Sequence, residues 1–104
     1  MNIEHLRKLC ADKPFVMTRH AEARRRQRGI TVPEIKATIM TGEIIEDYPD
    51  AYPYPACLVL SLDVGGKPLH VVCGVADDML WVITAYRPAP EQWGPDYKTR
   101  KGAR

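Results

Sequence analysis

The chain has 104 residues, with 15 Lys and Arg, 13 Asp and Glu, and a formal net charge of +2. This length is enough for one hydrophobic core and too short for two, so we expect one folded domain. No apolar run in the sequence approaches the length of a membrane span, and the first ten residues are too charged for a signal peptide. We therefore expect a cytoplasmic protein that does not enter a membrane.

The charge is distributed unevenly along the chain. Residues 1–30 carry a net charge of +5, residues 31–86 carry −6 and residues 87–104 carry +3. Basic ends around an acidic middle are compatible with a local nucleic-acid site, but they exclude a protein that is basic throughout. The acidic middle is equally compatible with a basic partner.

The three cysteines, Cys10, Cys57 and Cys73, are isolated from one another, with no C-x-x-C spacing. No histidine is placed to complete a zinc site with them. We therefore expect neither a structural disulfide nor a metal site. Cys57 and Cys73 are expected to lie in strands, where they act as small buried hydrophobic residues.

Three helices are predicted before residue 43, with Asn2, Thr18 and Thr31 as their N-caps and a proline or glycine after each end. The three segments are 3–10, 18–29 and 31–42. The third begins with TVPE, which predicts a capping box with proline in the first turn. The second helix contains only Ala21 and Ala23 as apolar residues, so burial does not explain its sequence.

From Glu43 onward the apolar pattern has a period of two, which is typical of strands. Four strands are predicted, over residues 43–48, 57–64, 67–76 and 79–87. Gly65-Gly66 and Asp77-Asp78 are predicted to be two-residue hairpin turns, so the last three strands form an antiparallel meander. We expect residues 1–88 to form the domain, and residues 89–104 to form a basic, proline-containing tail that is irregular or disordered.

The two turns predict which side chains share a face of the sheet. One face is expected to carry the apolar core beneath the helices, continued at its end by Thr84 and Tyr86. Its other members are Leu58, Leu60, Leu62, Leu69, Val71, Cys73, Val75, Leu80 and Val82. The second face mixes polar and apolar side chains, His70 and Trp81 among them. It is too apolar for simple exposure and is expected to hold the tail, a partner or a substrate.

The second helix also contains a histidine and five arginines. His20, Arg24 and Arg28 recur at i, i+4 and i+8, which places them along one face. Arginine binds phosphate through charge-assisted hydrogen bonds, and imidazole transfers a proton near neutral pH. This pattern favours a phosphodiester substrate. The alternative is a solvated face, in which Glu22 and Arg26 form an ordinary i,i+4 ion pair.

Thr84 and Tyr86 lie where the apolar pattern of the last strand turns polar. A tyrosine at the end of a strand usually packs its ring and leaves its hydroxyl in water. A pair of hydroxyl groups at this position is equally compatible with lining a cleft against the basic helix. Arg87, the next residue, is a further candidate for binding substrate.

The segments TRHAEARRRQRGI, TGEIIEDY, GKPLHVV and LWVITAYRP follow one another over about residues 16–88. Together they resemble the bacterial family named domain of unknown function 4258. The resemblance implies the fold shared by barnase, EndoU, the tRNA-cleaving colicins and RelE-type toxins. In that α+β fold, N-terminal helices pack on a four-stranded antiparallel sheet. Many of these relatives are metal-independent ribonucleases, often toxins that an acidic antitoxin neutralises.

The resemblance implies a set of functional residues in this chain: His20, Arg24, Arg28, His70, Thr84 and Tyr86. We therefore predict a metal-independent endoribonuclease without a cofactor, in which the RNA 2′-OH is the nucleophile and arginines stabilise the phosphorane. Either His20 or His70 is the general base or acid, and the sequence leaves that choice open. The alternative is a non-catalytic domain that binds RNA or a protein partner.

Overall fold

The computed structural model describes residues 1–102 and contains three helices and five strands. The elements are α1 (Ile3–Asp12), β1 (Val16–Met17), α2 (Arg19–Gln27), α3 (Val32–Thr41), β2 (Glu43–Tyr48), β3 (Ala56–Leu62), β4 (Pro68–Ala76) and β5 (Met79–Tyr86). The predicted N-caps Asn2, Thr18 and Thr31 are confirmed, and Thr31 forms the predicted capping box with Glu34. None of the helices in residues 1–102 has the length and apolar character needed to cross a membrane.

The sheet has five strands in the order β1-β5-β4-β3-β2. The pairs β2–β3, β3–β4 and β4–β5 are antiparallel, whereas β1 runs parallel to β5. The fold class α+β is confirmed, but the prediction of a four-stranded, purely antiparallel sheet is wrong. β1 is only two residues long, Val16 and Met17, so it shows no alternating pattern in the sequence. Thr18 N then donates to the carbonyl of Val82 at 3.3 Å, which joins the start of α2 to β5.

The turn between β3 and β4 is one residue longer than predicted. Asp63 N donates to the Lys67 carbonyl at 2.9 Å, and Gly66 N donates to the Asp63 carbonyl at 2.9 Å. These bonds enclose a three-residue loop in which Gly66 has a φ of 82°. This is the common hairpin in which a glycine in the left-handed region follows a tight turn. The prediction of a two-residue Gly65-Gly66 turn is therefore wrong.

Because the loop is one residue longer than predicted, the side chains of β3 lie on the opposite faces of the sheet from those predicted. A shift of one residue exchanges the two faces of a strand. Val59 pairs with Val71 and belongs to the core beneath the helices. Leu60 pairs with His70 and lies on the opposite face. The assignment of Leu58, Leu60 and Leu62 to the core face is wrong.

The predicted turn between β4 and β5 is confirmed. Asp77 and Asp78 have φ values of 54° and 58°, as a two-residue type I′ hairpin requires. The register then shifts by one residue, because Ile83 forms a β-bulge between the pairs that precede and follow it. Beyond the bulge Tyr86 pairs with His70. Thr84 and Tyr86 therefore face away from the helices, and the prediction that they continue the core face is wrong.

Both faces of the sheet are covered. The helices cover a core in which Cys57 and Cys73 are fully buried and pair across β3 and β4, as predicted for small hydrophobic residues in strands. On the other face, Trp93 from the C-terminal segment is only 2% exposed and packs against His70. Residues 88–102 form no helix or strand, as predicted, but they pack against the sheet instead of extending from it. Residues 103–104 of the predicted tail lie outside the described residues.

We predict that Gly42→Ala destabilises the protein by about 2 kcal/mol, the scale of overpacking a dense core. Gly42 ends α3, and a Cβ there would collide with the carbonyl oxygen of Leu60 and lie 2.5 Å from that of Thr38. In Gly65→Ala the new Cβ would make only ordinary contacts, the nearest at 3.5 Å. Urea denaturation should show a change of less than about 0.5 kcal/mol for this control. Equal stabilities for the two variants would contradict the proposed crowding at Gly42.

Candidate functional site

Arg28 is fixed where the end of α2 meets the end of β5. It is the C-cap of α2, and Gly29 follows with a φ of 69°, which lets the chain turn towards α3. The Arg28 Nη1 group donates to the carbonyl of Ala85 at 2.8 Å and lies 3.5 Å from Thr84 Oγ1. Among residues 1–102, its Nε and Nη2 groups have no hydrogen-bond partner. Arg28 is thus an anchored guanidinium with donors left for an anion.

An open cleft of about 520 Å³ lies beside this arginine. Its lining residues are Arg28, Tyr86, Arg87, Ala89 and Gln92. The end of α2, the end of β5 and the C-terminal segment therefore meet around one cavity. The structure brings the predicted residues Arg28, Tyr86 and Arg87 together here, with Thr84 next to Arg28.

The Tyr86 hydroxyl is hydrogen-bonded to a buried histidine. Its oxygen lies 3.2 Å from His70 Nδ1, and His70 Nε2 lies 2.8 Å from the carbonyl oxygen of Tyr97. A carbonyl oxygen only accepts, so Nε2 must carry a proton. In a neutral imidazole, Nδ1 is then the acceptor, and Tyr86 donates its hydroxyl proton to it. The free lone pairs of the Tyr86 oxygen remain available to the cleft.

Burial keeps both members of this pair uncharged at neutral pH. His70 is 0% exposed, and desolvation lowers its pKa below the ordinary value of 6.5. The Tyr97 carbonyl and the Glu46 carboxylate act in the opposite direction without reversing the shift. Desolvation likewise raises the pKa of Tyr86. The pair therefore consists of a neutral imidazole and a protonated phenol.

The C-terminal segment packs around His70, so the tail is the one of the three expected occupants that covers this face of the sheet. The Trp93 ring meets the His70 ring edge-on, with centroids 4.5 Å apart. The Arg100 guanidinium lies 4.6 Å from the centre of the Trp93 ring and forms two hydrogen bonds to Glu46, of 2.8 and 2.9 Å. Two features of the sequence indicate this packing: a tryptophan in the proline-rich tail, and a sheet face that is too apolar to be exposed.

His20 and Arg24 lie away from the cleft. Both are exposed on α2, and Arg24 Nη1 donates to Gln27 Oε1 at 3.1 Å. The side chain of His20 forms no hydrogen bond within the part of the chain that the structure describes. Its backbone precedes that of Arg28 by about 12 Å of helical rise. The three side chains therefore do not converge on one atom, and no hydrogen bond joins His20 to His70 within residues 1–102.

Arg87 forms the wall of the cleft but is engaged elsewhere. Its Nη2 group donates to Glu34 at 2.7 Å, and its Nη1 group donates to the Pro68 carbonyl at 3.1 Å. The Asp63 carboxylate lies 3.9 Å from Nη1. These bonds tie α3 to the ends of β4 and β5. The geometry therefore gives Arg87 a structural role beside any contact with substrate.

Two arginines of α2 support the alternative of a solvated face. Glu22 accepts from Arg25 at 2.8 Å and from Arg26 at 2.6 Å, which includes the expected i,i+4 pair. Arg25 also donates to the carbonyl of Ile30 and so fastens the turn after α2. Arg24 and Arg28 have no carboxylate partner within residues 1–102. The helix thus divides into paired, structural arginines and arginines that remain free to bind an anion.

We predict that His70 makes folding stability depend on pH around its unfolded pKa of about 6.5. Because burial lowers the folded pKa, the unfolded chain binds the proton more readily, so stability is complete above about pH 6.5 and falls as the pH decreases below it. Chemical denaturation of the wild type should show this loss between about pH 7.5 and 5.5. His70→Gln, which does not titrate there, should reduce the slope. Identical slopes for both proteins would contradict the burial effect.

The comparisons with known proteins identify one family. A family model described as "Domain of unknown function (DUF4258)" matches residues 17–87, about two thirds of the chain. No curated protein and no solved structure matches the chain. The matched segment runs from β1 to the residue after β5, so it includes Arg28, His70 and Tyr86 but not α1 or residues 88–102. The chain therefore belongs to the DUF4258 family.

Proposed function

We propose that this protein binds RNA in the cleft at the end of β5 and cleaves it as a metal-independent, toxin-type endoribonuclease. One observation carries the proposal. The Tyr86 oxygen, whose proton is directed to the buried His70, lines the same cleft as the anchored Arg28 guanidinium. When the 2′-OH of RNA attacks the neighbouring phosphate, the enzyme must first supply a group that accepts the hydroxyl proton and a cation that binds the phosphate.

Binding begins with the RNA phosphate. The unpaired Nε and Nη2 donors of Arg28 suit a phosphate oxygen, and Nη1 holds the guanidinium in place through the Ala85 carbonyl. Arg24 extends the basic surface along α2, with no carboxylate partner within residues 1–102. Because His20 lies about 12 Å along the helix from Arg28, we assign it to a neighbouring nucleotide rather than to the scissile phosphate.

In the cleavage step, the Tyr86 oxygen accepts the proton of the RNA 2′-OH, and the phenolic proton of Tyr86 passes to His70 Nδ1. The 2′ oxygen forms a bond to phosphorus, and the bond from phosphorus to the 5′ oxygen breaks. The leaving 5′ oxygen takes a proton from a water molecule in the open cleft. The hydroxide that this leaves takes the proton back from His70 through Tyr86, so that the histidine and the phenol return to their neutral forms. Arg28 offsets the negative charge that develops on the phosphoryl oxygens. The products are a 2′,3′-cyclic phosphate and a 5′-hydroxyl, so DNA is not a substrate.

The architecture supports kinship with the fold of RelE-type toxins as part of the same proposal. Helices α2 and α3 precede the antiparallel series β2 to β5, which is the order that the resemblance implies. An acidic antitoxin would then bind the basic cleft, with its carboxylates on Arg28 in place of a phosphate. Such a toxin would act in the cytoplasm, where its RNA substrate is found.

A non-catalytic RNA-binding domain is the second candidate, and one observation favours it. Both ring nitrogens of His70 are already used within the protein, by Tyr86 and by the Tyr97 carbonyl. A fully satisfied buried histidine is also a common structural element. In that case Arg28 would bind the RNA backbone and no bond would be cleaved.

We predict that Arg28→Ala weakens RNA binding by about 1 to 3 kcal/mol, the scale of a charge-assisted contact. The salt dependence of binding should decrease by the equivalent of about one phosphate contact. Arg26→Ala is the matched control, because Arg26 is on the same helix but is 72% exposed and paired with Glu22. Titrations of a short single-stranded RNA at several salt concentrations measure both effects. Equal, small effects from the two substitutions would contradict phosphate binding by Arg28.

We predict that Tyr86→Phe slows RNA cleavage by about 10² to 10⁴, the usual contribution of a general base, and leaves RNA affinity nearly unchanged. Tyr97→Phe is the control, because Tyr97 contributes its backbone carbonyl to the site. Single-turnover cleavage of a labelled RNA in EDTA measures the rates, and an analogue with one 2′-deoxy position should resist cleavage there. Binding that depends on Arg28 without any cleavage by the wild type would favour the non-catalytic domain.

A further inference from the structure

We propose that residues 88–102, which we call the C-terminal clamp, position the site by fixing the proton of His70 on Nε2 and thereby the direction of the Tyr86 hydroxyl bond. The expected effect of the clamp on the cleavage rate rests on the proposed function, whereas its effect on the tautomer of His70 does not. The clamp lies outside the segment that the family model matches, residues 17–87. The site is thus shared between the family domain and a separate part of this chain.

The contact that decides the tautomer is the one between His70 Nε2 and the Tyr97 carbonyl, at 2.8 Å. Without it, Nε2 would face water and the ring could carry its proton on either nitrogen. With the proton on Nδ1, the ring would donate to the Tyr86 oxygen, and the Tyr86 proton would turn towards the cleft. Tyr86 would then present a donor instead of an acceptor. The position of one backbone carbonyl therefore selects between two chemical roles of Tyr86.

The backbone of the clamp holds this carbonyl in place. Gly94 N donates to the Thr99 carbonyl at 2.7 Å, and Lys101 N donates to the Gln92 carbonyl at 2.8 Å. These bonds close a loop that contains Tyr97. The Asp96 carboxylate accepts from two backbone N–H groups inside it and makes the turn more rigid.

Three side chains attach the loop to the sheet. Trp93 is buried against the His70 ring, and Arg100 stacks on Trp93 while it binds Glu46 of β2 through two hydrogen bonds. A bidentate arginine–carboxylate pair has a fixed orientation, so it also sets the position of the ring beneath it. Lys98 forms a second ion pair with Glu43 at 2.7 Å, at the rim of the loop. Arg100 therefore supports His70 through Trp93, whereas Lys98 is paired with Glu43 and, within residues 1–102, makes neither a hydrogen bond nor a cation–π contact with either ring.

The test is nitrogen-15 NMR of histidine-labelled protein, because the two ring nitrogens resonate far apart when only one carries the proton. His70→Gln identifies the signals of His70 among those of the three histidines. In the wild type we expect a single tautomer with the proton on Nε2. In Arg100→Ala, and in a chain that ends at Gln92, we expect signals averaged between tautomers. Lys98→Ala should resemble the wild type.

The outcomes separate this inference from the proposed function. A wild-type ring with its proton on Nδ1 would overturn the inference, and so would retention of the Nε2 tautomer in both clamp variants. If the shortened chain does not fold, the comparison of Arg100→Ala with Lys98→Ala by itself decides whether the clamp fixes the tautomer of His70. Where the wild type cleaves RNA, Arg100→Ala should lower the single-turnover rate roughly tenfold or more, as for a misplaced reactive group, without changing affinity. If the wild type does not cleave RNA, the proposed function fails and the NMR result still decides the role of the clamp.

Discussion

The burial of one imidazole constrains more of this structure than any other interaction. A buried polar group without partners costs several kcal/mol, so both nitrogens of His70 must be satisfied wherever the ring is enclosed. One partner comes from β5 and the other from the C-terminal clamp. The end of the sheet and the segment that follows it are therefore ordered together. The cleft, the orientation of Tyr86 and the covered second sheet face are consequences of this requirement.

The helices could be predicted from the sequence, because their limits depend on local chemistry. Asn2, Thr18 and Thr31 cap through their own side chains, so each start is encoded by one residue and its near neighbours. The faces of the strands could not be predicted as well, since they depend on counting residues through turns and bulges. One additional residue in the Asp63–Lys67 loop and one at Ile83 were enough to exchange faces, and neither changes the apolar alternation visible in the sequence.

In the candidate site, too, some features could be predicted from the sequence and others depend on the fold. Arg28 and Tyr86 belong to recognisable motifs, and the structure brings both to one cleft. The Tyr97 carbonyl has no counterpart in the sequence, because every residue carries one and only the fold decides which carbonyl meets a histidine. The stacking of Arg100 on Trp93 is similarly a product of the folded tail. The prediction for His20 rests on its residue type and helical spacing, and neither of these gives the distance to groups on other elements.

The bulge at Ile83 divides β5 into two parts whose side chains face different surroundings. Before it, Leu80 and Val82 fill the core beneath the helices, and after it Thr84 and Tyr86 face the other side of the sheet. Without the extra residue, the hydroxyl groups at the end of β5 would be turned inwards against the helices. A comparison of homologues that aligns this strand by alternation alone would therefore confuse packing positions with positions near the cleft. The length of the strand, and not only the presence of a tyrosine, determines whether a relative can carry the same cleft.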